Sequence, residues 1–238
     1  MCGRCGCDPP RVAPAALRPQ PLRRLELRQG LLSRNDAQAQ RNRLQFQGLG
    51  LRVVNLLSAP GSGKTSLLER LAQQWPRPPI GVIVGDLATD RDAQRLQTAG
   101  ARAVQIRTGE RCHLDAAQVA RAFSQLEAAG LDLLVIENVG NLVCPAAFDL
   151  GEQRRIAVLS VTEGEDKPLK YPALFSSADA VVLNKSDLAE AVGFDRSAAL
   201  SHLRAVAPQA VLFEVSARQG SGLAALLQWL DQPQAPWP

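Results

Sequence analysis

The stretch Ser58-Ala59-Pro60-Gly61-Ser62-Gly63-Lys64-Thr65 carries the densest chemical signal in the chain. It follows the apolar run 53–57 and precedes a helical pattern, the strand–loop–helix order of a phosphate-binding P-loop. Ser58 stands where the generic pattern has its first Gly. Gly61 and Gly63 let the backbone curl so that successive amides face phosphate oxygens. Ser62 and Ser66 belong to the same nucleotide-binding stretch. Lys64 neutralises charge on the β and γ phosphates, and Thr65 offers its hydroxyl to Mg²⁺. The following helix adds the partial positive charge of its N-terminus. A chance Gly-rich loop would not bring strand, Gly-Lys-Thr and helix together in this order.

A second motif addresses the base. Asn184-Lys185-Ser186-Asp187 follows the apolar run 180–183, and a carboxylate there accepts hydrogen bonds from N1–H and N2–H₂ of guanine. Adenine offers no such donor pair, so a buried Asp187 would be left unpaired against it. Read alone, the tetrapeptide is also a polar turn; after a P-loop it points to GTP. Ser216 and Ala217, followed by Arg218, resemble a further guanine-contacting loop. Asp86 and Glu137 each close an apolar run and are expected at the carboxyl edge of the sheet, holding Mg²⁺ directly or through water. Lys64, Thr65, Asp86 and Glu137 are thus the candidate catalytic set. The amide of Gly140 is placed to sense the γ-phosphate, and Asp90 is a weaker candidate for the metal or the attacking water. The bland alternatives are a turn cap for Asp86 and an Arg partner for Glu137.

The thiols suggest a different chemistry. Cys2, Cys5 and Cys7 place three ligands within six residues, enough to wrap one soft or borderline metal. A redox Cys-x-x-Cys would sit at a helix start in a thioredoxin-like unit, which this sequence does not show. Cys112-His113 and the distant Cys144 cannot close a structural zinc cage, but they suit an open or subunit-shared site. Any one of these cysteines could equally be a buried, unliganded thiol. Cys144 follows Glu137 in the same loop, which would couple metal to nucleotide.

These residues need a frame. Seven apolar runs, 53–57, 80–84, 103–106, 133–136, 156–161, 180–183 and 211–213, alternate with helical patterns at 65–75, 90–98, 115–129, 195–206 and 223–230. That alternation predicts an α/β fold, a mostly parallel seven-stranded sheet with helices on both faces. The expected organisation is a cysteine motif at 1–7, a Pro-rich linker at 8–21, a helical segment at 22–50 and the nucleotide-binding domain at 51–238. Within the helical segment, Leu25, Leu32, Ala39 and Phe46 recur every seven residues, and an interruption or kink is expected near Gly30. The 238 residues are 46% hydrophobic, which supports a packed core and excludes wholesale disorder. Residues 1–52 hold ten Arg against Asp8, Glu26 and Asp36, a balance of +7, whereas the whole chain is +4 and the rest therefore −3. That basic arm has Phe46 as its sole aromatic, so a solvated linker and surface helix fit it better than a nucleic-acid reader. Neither a membrane span nor a signal peptide is visible, and a reducing cytoplasm is expected.

Together the quoted motifs, with Thr108-Gly109 ahead of Cys112-His113-Leu114-Asp115-Ala116 and the run Glu137-Asn138-Val139-Gly140-Asn141-Leu142-Val143-Cys144-Pro145, resemble the HypB family over nearly the whole chain. HypB proteins are GTPases that assist nickel insertion into [NiFe]-hydrogenase. The resemblance implies a P-loop NTPase of the SIMIBI class that dimerises with GTP. It also implies a nickel site at Cys2, Cys5 and Cys7, and a nickel or zinc site at Cys112, His113 and Cys144 shared across the dimer. The implied partners are a HypA-like nickel metallochaperone and the hydrogenase large subunit. Two departures stand out. The arm lacks the histidine-rich stretch of many relatives, which argues against bulk nickel storage, and Glu110-Arg111 replaces a frequent Lys-Gly before Cys112. The alternatives are a urease-type accessory GTPase, which the N-terminal cysteines do not mark, and a P-loop small-molecule kinase, which Asp187 argues against. A metal carrier with a decayed GTPase is opposed by intact Lys64, Thr65 and Asp187.

Overall fold

The computed structural model describes residues 20–77, 79–86 and 91–232, with side chains from residue 29 onward. Cys2, Cys5 and Cys7, the Pro-rich stretch up to residue 19, and Asp90 lie outside the described residues. Strands β1 (Arg52–Ser58), β2 (Gly81–Asp86), β3 (Arg102–Arg107), β4 (Leu133–Glu137), β5 (Arg154–Ser160), β6 (Ala180–Asn184) and β7 (Val211–Glu214) form one sheet in the order β3-β2-β4-β1-β5-β6-β7. Every pairing between these strands is parallel. All seven expected runs are strands, and the expected "mostly" parallel sheet is wholly so.

Side chains alternate faces along each strand, and the core divides accordingly. Val54 and Leu56 of β1 pack with α2 (Lys64–Gln74), α3 (Arg91–Thr98) and α8 (Leu223–Asp231) on one face. On the other face, Val53 joins α1 (Gln20–Gly48) and α4 (Ala116–Phe123), and Leu57 joins α6 (Pro172–Ser176) and α7 (Arg196–Val206). A one-turn helix, α5 (Lys167–Lys170), precedes α6.

Two expectations need correction. The N-terminal segment is a single helix of 29 residues that runs through Gly30. One glycine costs a helix roughly 1 kcal/mol against Ala, too little to break a run rich in Leu, Arg, Gln and Ala with no proline after Pro21. The helix expected at 115–129 is shorter. Asp115 is its N-cap, in a reciprocal capping box with Gln118, and after Phe123 the chain tightens into i→i+3 turns through Gln125 and Leu126.

The buried stripe of α1 is Asn35, Ala39, Asn42 and Phe46, spaced four, three and four residues apart. Phe46 meets Phe123 edge-on with ring centroids 4.9 Å apart. The two asparagines dock by hydrogen bonds. Asn35 Oδ1 accepts the Ala116 N–H (2.9 Å), one of the orphan donors at the start of α4. Asn42 Nδ2 donates to the carbonyls of Ala116 (2.8 Å) and Leu150 (3.0 Å).

Candidate functional site

The carboxyl ends of β1, β2 and β4 open on a cleft of about 500 Å³. The P-loop enters it from β1, and Lys64 begins α2. The Lys64 ammonium donates to Ser58 Oγ (2.7 Å), and Ser62 Oγ donates to the same oxygen (2.6 Å). Ser58 in turn donates to the Ala59 carbonyl (2.7 Å). Ser58 therefore fastens the loop that it enters, a role whose one sequence signal was its departure from Gly. Burial lowers the Lys64 pKa, against the raising pull of Glu137, Glu163, Asp92 and Asp86.

The two candidate base-recognition loops are bonded to the P-loop and to each other. Gly63 has φ 94°, and a Cβ there would lie 2.6 Å from Asn184 Nδ2. That amide donates to the Ser62 carbonyl (2.9 Å), while Asn184 Oδ1 accepts the Ala217 N–H (3.1 Å). Lys185 lines the cleft in a left-handed conformation (φ 60°), its ammonium donating to the Gly61 carbonyl (2.7 Å). Ser216 Oγ donates to Asp187 Oδ1 (2.6 Å), which fixes the carboxylate on the loop that also presents Ala217.

Opposite the P-loop, Thr65 Oγ1 donates to Glu137 Oε1 (2.8 Å). The other oxygen of Glu137 is buried with no hydrogen-bond partner. Burial pushes the Glu137 pKa up to about 7, although the Lys64 charge and the Thr65 hydroxyl both pull it down. A buried, unshared carboxylate oxygen beside a Thr hydroxyl, with Asp86 lining the same cleft, is a set of hard oxygen donors that fits Mg²⁺. Gly140 also lines the cleft, and a Cβ on it would lie 2.8–2.9 Å from the Pro60 backbone. Only glycine lets the 137–140 loop rest against the P-loop lip. Sequence reasoning missed Asp92 and Arg95, which face the cleft from α3. Arg95 is gripped by Glu69 (2.7 and 3.0 Å) and reaches Ser66 Oγ at 3.3 Å. Their signal was an acid and a base three residues apart just beyond the acidic end of β2.

The topology also assembles the soft-metal ligands. The loops after β3 and β4 flank β2, and they bring Cys112, His113 and Cys144 together with ligand atoms within 4.8 Å of one another. Asn141 Oδ1 accepts the Val143 N–H (2.8 Å) and the Cys144 N–H (3.4 Å), setting the turn that presents Cys144. The His113 ring stacks on Phe148 with centroids 3.9 Å apart. Burial lowers the His113 pKa, against Asp115 and aided by Arg111, which favours the neutral imidazole that binds metal. All three residues are half-buried, and three donors leave a tetrahedral metal one open position. One chain alone supplies all three.

A model of the CobW/HypB/UreG nucleotide-binding domain matches residues 52–214. The hydrogenase maturation factor HypB of Azotobacter chroococcum mcd 1 is 51% identical over 211 residues, covering 88% of this chain and 69% of its own. The chain belongs to the HypB group of the CobW/HypB/UreG family. The crystal structure of HypB from Helicobacter pylori in complex with nickel superposes with a TM-score of 0.80 at 43% identity, covering 83% of this chain and 93% of that one. The GDP complex of the signal recognition particle 54 kDa protein from Aeropyrum pernix K1 shares the fold alone. Its TM-score is 0.55 at 18% identity, over 76% of this chain and 48% of that one. This is a P-loop nucleotide-binding domain of the SIMIBI class, as the resemblance to HypB implied.

Proposed function

We propose that this HypB-group chain is a nickel metallochaperone that hydrolyses GTP and uses its nucleotide state to time delivery of Ni(II) during [NiFe]-hydrogenase maturation. One observation carries the reading. Cys112, His113 and Cys144 converge within 4.8 Å, and the loop that ends at Cys144 lines the nucleotide cleft at residues 137–140, so the metal trio and the nucleotide cleft share that loop.

In the hydrolysis step, Gly61, Ser62, Gly63 and Ser66 seat the phosphates while Lys64 offsets charge that builds on the transferring phosphoryl group. Asp187, steadied by Ser216, selects guanine, and Asn184, Lys185 and Ala217 hold the base loop to the P-loop. Thr65, Asp86 and Glu137 would hold Mg²⁺, which supplies Lewis-acid charge stabilisation when bound. Water attacks in line, the bond from the γ-phosphorus to the bridging oxygen breaks, and GDP and phosphate leave. Gly140, seated against Pro60, reports that change to the loop that ends at Cys144.

Cys2, Cys5 and Cys7 form a second, tighter nickel site, and the cargo passes from a HypA-like metallochaperone toward the hydrogenase large subunit in the cytoplasm. GTP drives homodimerisation, which can close the open metal position. The test is Ni(II) stoichiometry and affinity on reduced protein, with and without a GTP analogue and Mg²⁺, repeated on a Cys2/Cys5/Cys7→Ala variant. A tight site lost in the variant, with a weaker one that responds to nucleotide, is the expected result. Binding indifferent to both the cysteines and the nucleotide would leave a nucleotide-binding protein with some other client.

A further inference from the structure

Asn138 takes no part in the steps above, yet it lines the nucleotide cleft and bonds the backbone next to His113. It is fully buried and follows Glu137 directly. Its Oδ1 accepts two backbone N–H groups, from Val139 (3.0 Å) and from Leu114 (3.1 Å). The first belongs to the loop that leans on the P-loop; the second belongs to the residue after His113.

The orientation of this amide is fixed from behind. Asn138 Nδ2 donates to Asn55 Oδ1 (3.3 Å), inside the central strand β1. Asn55 Nδ2 donates to Glu152 Oε1 (3.1 Å), which also accepts from Arg155 Nε (2.7 Å), and Glu152 Oε2 accepts the Leu150 N–H (2.7 Å). With the amide nitrogen committed to β1, the oxygen must face residues 114 and 139. Leu114 is held a second way as well. It is fully buried against Gly85, where a Cβ would meet its side chain at 2.8–2.9 Å. Gly85 and Gly140 both line the nucleotide cleft.

We propose that Asn138 is the positioning residue that couples the two sites. One oxygen holds the backbone of the phosphate-side loop and the backbone of the Cys112-His113 loop. Cys144 sits at the other end of that phosphate-side loop. A displacement of residues 137–140 against Pro60 therefore changes the spacing of Cys112 and His113 relative to Cys144, and with it the metal affinity. By reciprocity, metal at the trio changes nucleotide affinity by the same factor. The inference rests on the GTP-gated nickel reading proposed above.

The test uses the full chain carrying Cys2/Cys5/Cys7→Ser, so that nickel binds only the trio. Ni(II) affinity is measured by competition with a chelating dye, with GDP·Mg²⁺ and with a non-hydrolysable GTP analogue and Mg²⁺. The affinities are expected to differ about fivefold or more between nucleotides in this parent, and less than about twofold in Asn138→Ala. Asn138→Asp keeps an accepting oxygen toward residues 114 and 139 but gives up the donor to Asn55, so it is expected to keep part of the difference. A residue with only a structural role would lower stability in Asn138→Ala and leave the ratio intact, which overturns the assignment. Loss of the ratio in both variants overturns the role given to the oxygen. A parent with no nucleotide dependence overturns both this inference and the gating reading, whereas a dependence that survives in Asn138→Ala overturns this inference alone. If Asn138→Ala does not fold, hydrogen exchange of the Leu114 amide in the parent decides. Exchange that differs between nucleotide states is expected, and identical exchange overturns the coupling.

Discussion

With Glu137 as a Mg²⁺ ligand, as proposed above, the nucleotide cleft is a proton-linked metal site. Its carboxyl is held to about 7 against an ordinary 4.5, because burial outweighs the Lys64 charge and the Thr65 hydrogen bond. The sign follows from linkage: between about pH 4.5 and 7 the folded carboxyl keeps its proton while the unfolded one has lost it. The folded state then binds more protons, so the metal-free fold loses stability as pH rises through this window and levels off above 7. At 1.36 kcal/mol per pKa unit, the ionisation penalty is about 3 kcal/mol. A divalent cation binds the ionised form, so it must displace that proton below pH 7. Apparent Mg²⁺ affinity of the GDP complex should fall as pH drops, by roughly tenfold per unit for this one proton, with the onset at or above 7 because phosphate charge nearby raises a carboxyl pKa further. Calorimetry in buffers of different ionisation enthalpy counts the protons released, and Glu137→Gln isolates this carboxyl from the phosphates common to both proteins. The variant is expected to lose most of the slope and to bind Mg²⁺ weakly at every pH. An equal slope in both proteins, or no proton released at pH 6, would refute this account of the cleft.

Three further outcomes follow from particular contacts. Asp187→Asn removes the charged acceptor that Ser216 steadies, and should weaken GTP by about 2–4 kcal/mol while improving xanthosine triphosphate, read by competition with a fluorescent nucleotide. Unchanged GTP affinity would remove the basis for guanine selection. Asn42→Ala leaves the Ala116 and Leu150 carbonyls without their donor and should cost about 1–3 kcal/mol in urea unfolding, with the nucleotide site intact. Phe148→Ala strips the ring stacked on His113 and should weaken Ni(II) or Zn(II) binding at the trio roughly tenfold, with GTP affinity little changed.

Much of the fold was legible because the sheet is covered on both sides. Strands such as β4 and β6 are buried at every residue, so each reads as an unbroken apolar run rather than an alternation. The P-loop and the Asn184–Asp187 tetrapeptide stood out for a similar reason, each being a few contiguous residues, although the bonds from Asn184 to Ser62 and from Ser216 to Asp187 join distant segments. The soft-metal trio was only half legible. Residue types showed ligands, but their meeting depends on β3 and β4 flanking β2, and strand order is not written in any single segment.

The asparagines were the least legible, and they show why. Asn35 and Asn42 occupy the buried stripe of α1, where their polarity argues for exposure. They are tolerated because Ala116 presents an orphan N–H and a carbonyl to them, from positions 81 and 74 residues away. Asn138 is the same case: its type states that it needs partners when buried, but not that one partner would follow a metal ligand. A buried amide is legible as a demand and illegible as an address. Asn35 is met by the backbone of Ala116 and Asp149, Asn42 also by the Gln38 side chain, and Asn138 by Leu114, its neighbour Val139 and the Asn55 side chain, so each demand is answered by a different mixture of near and distant partners.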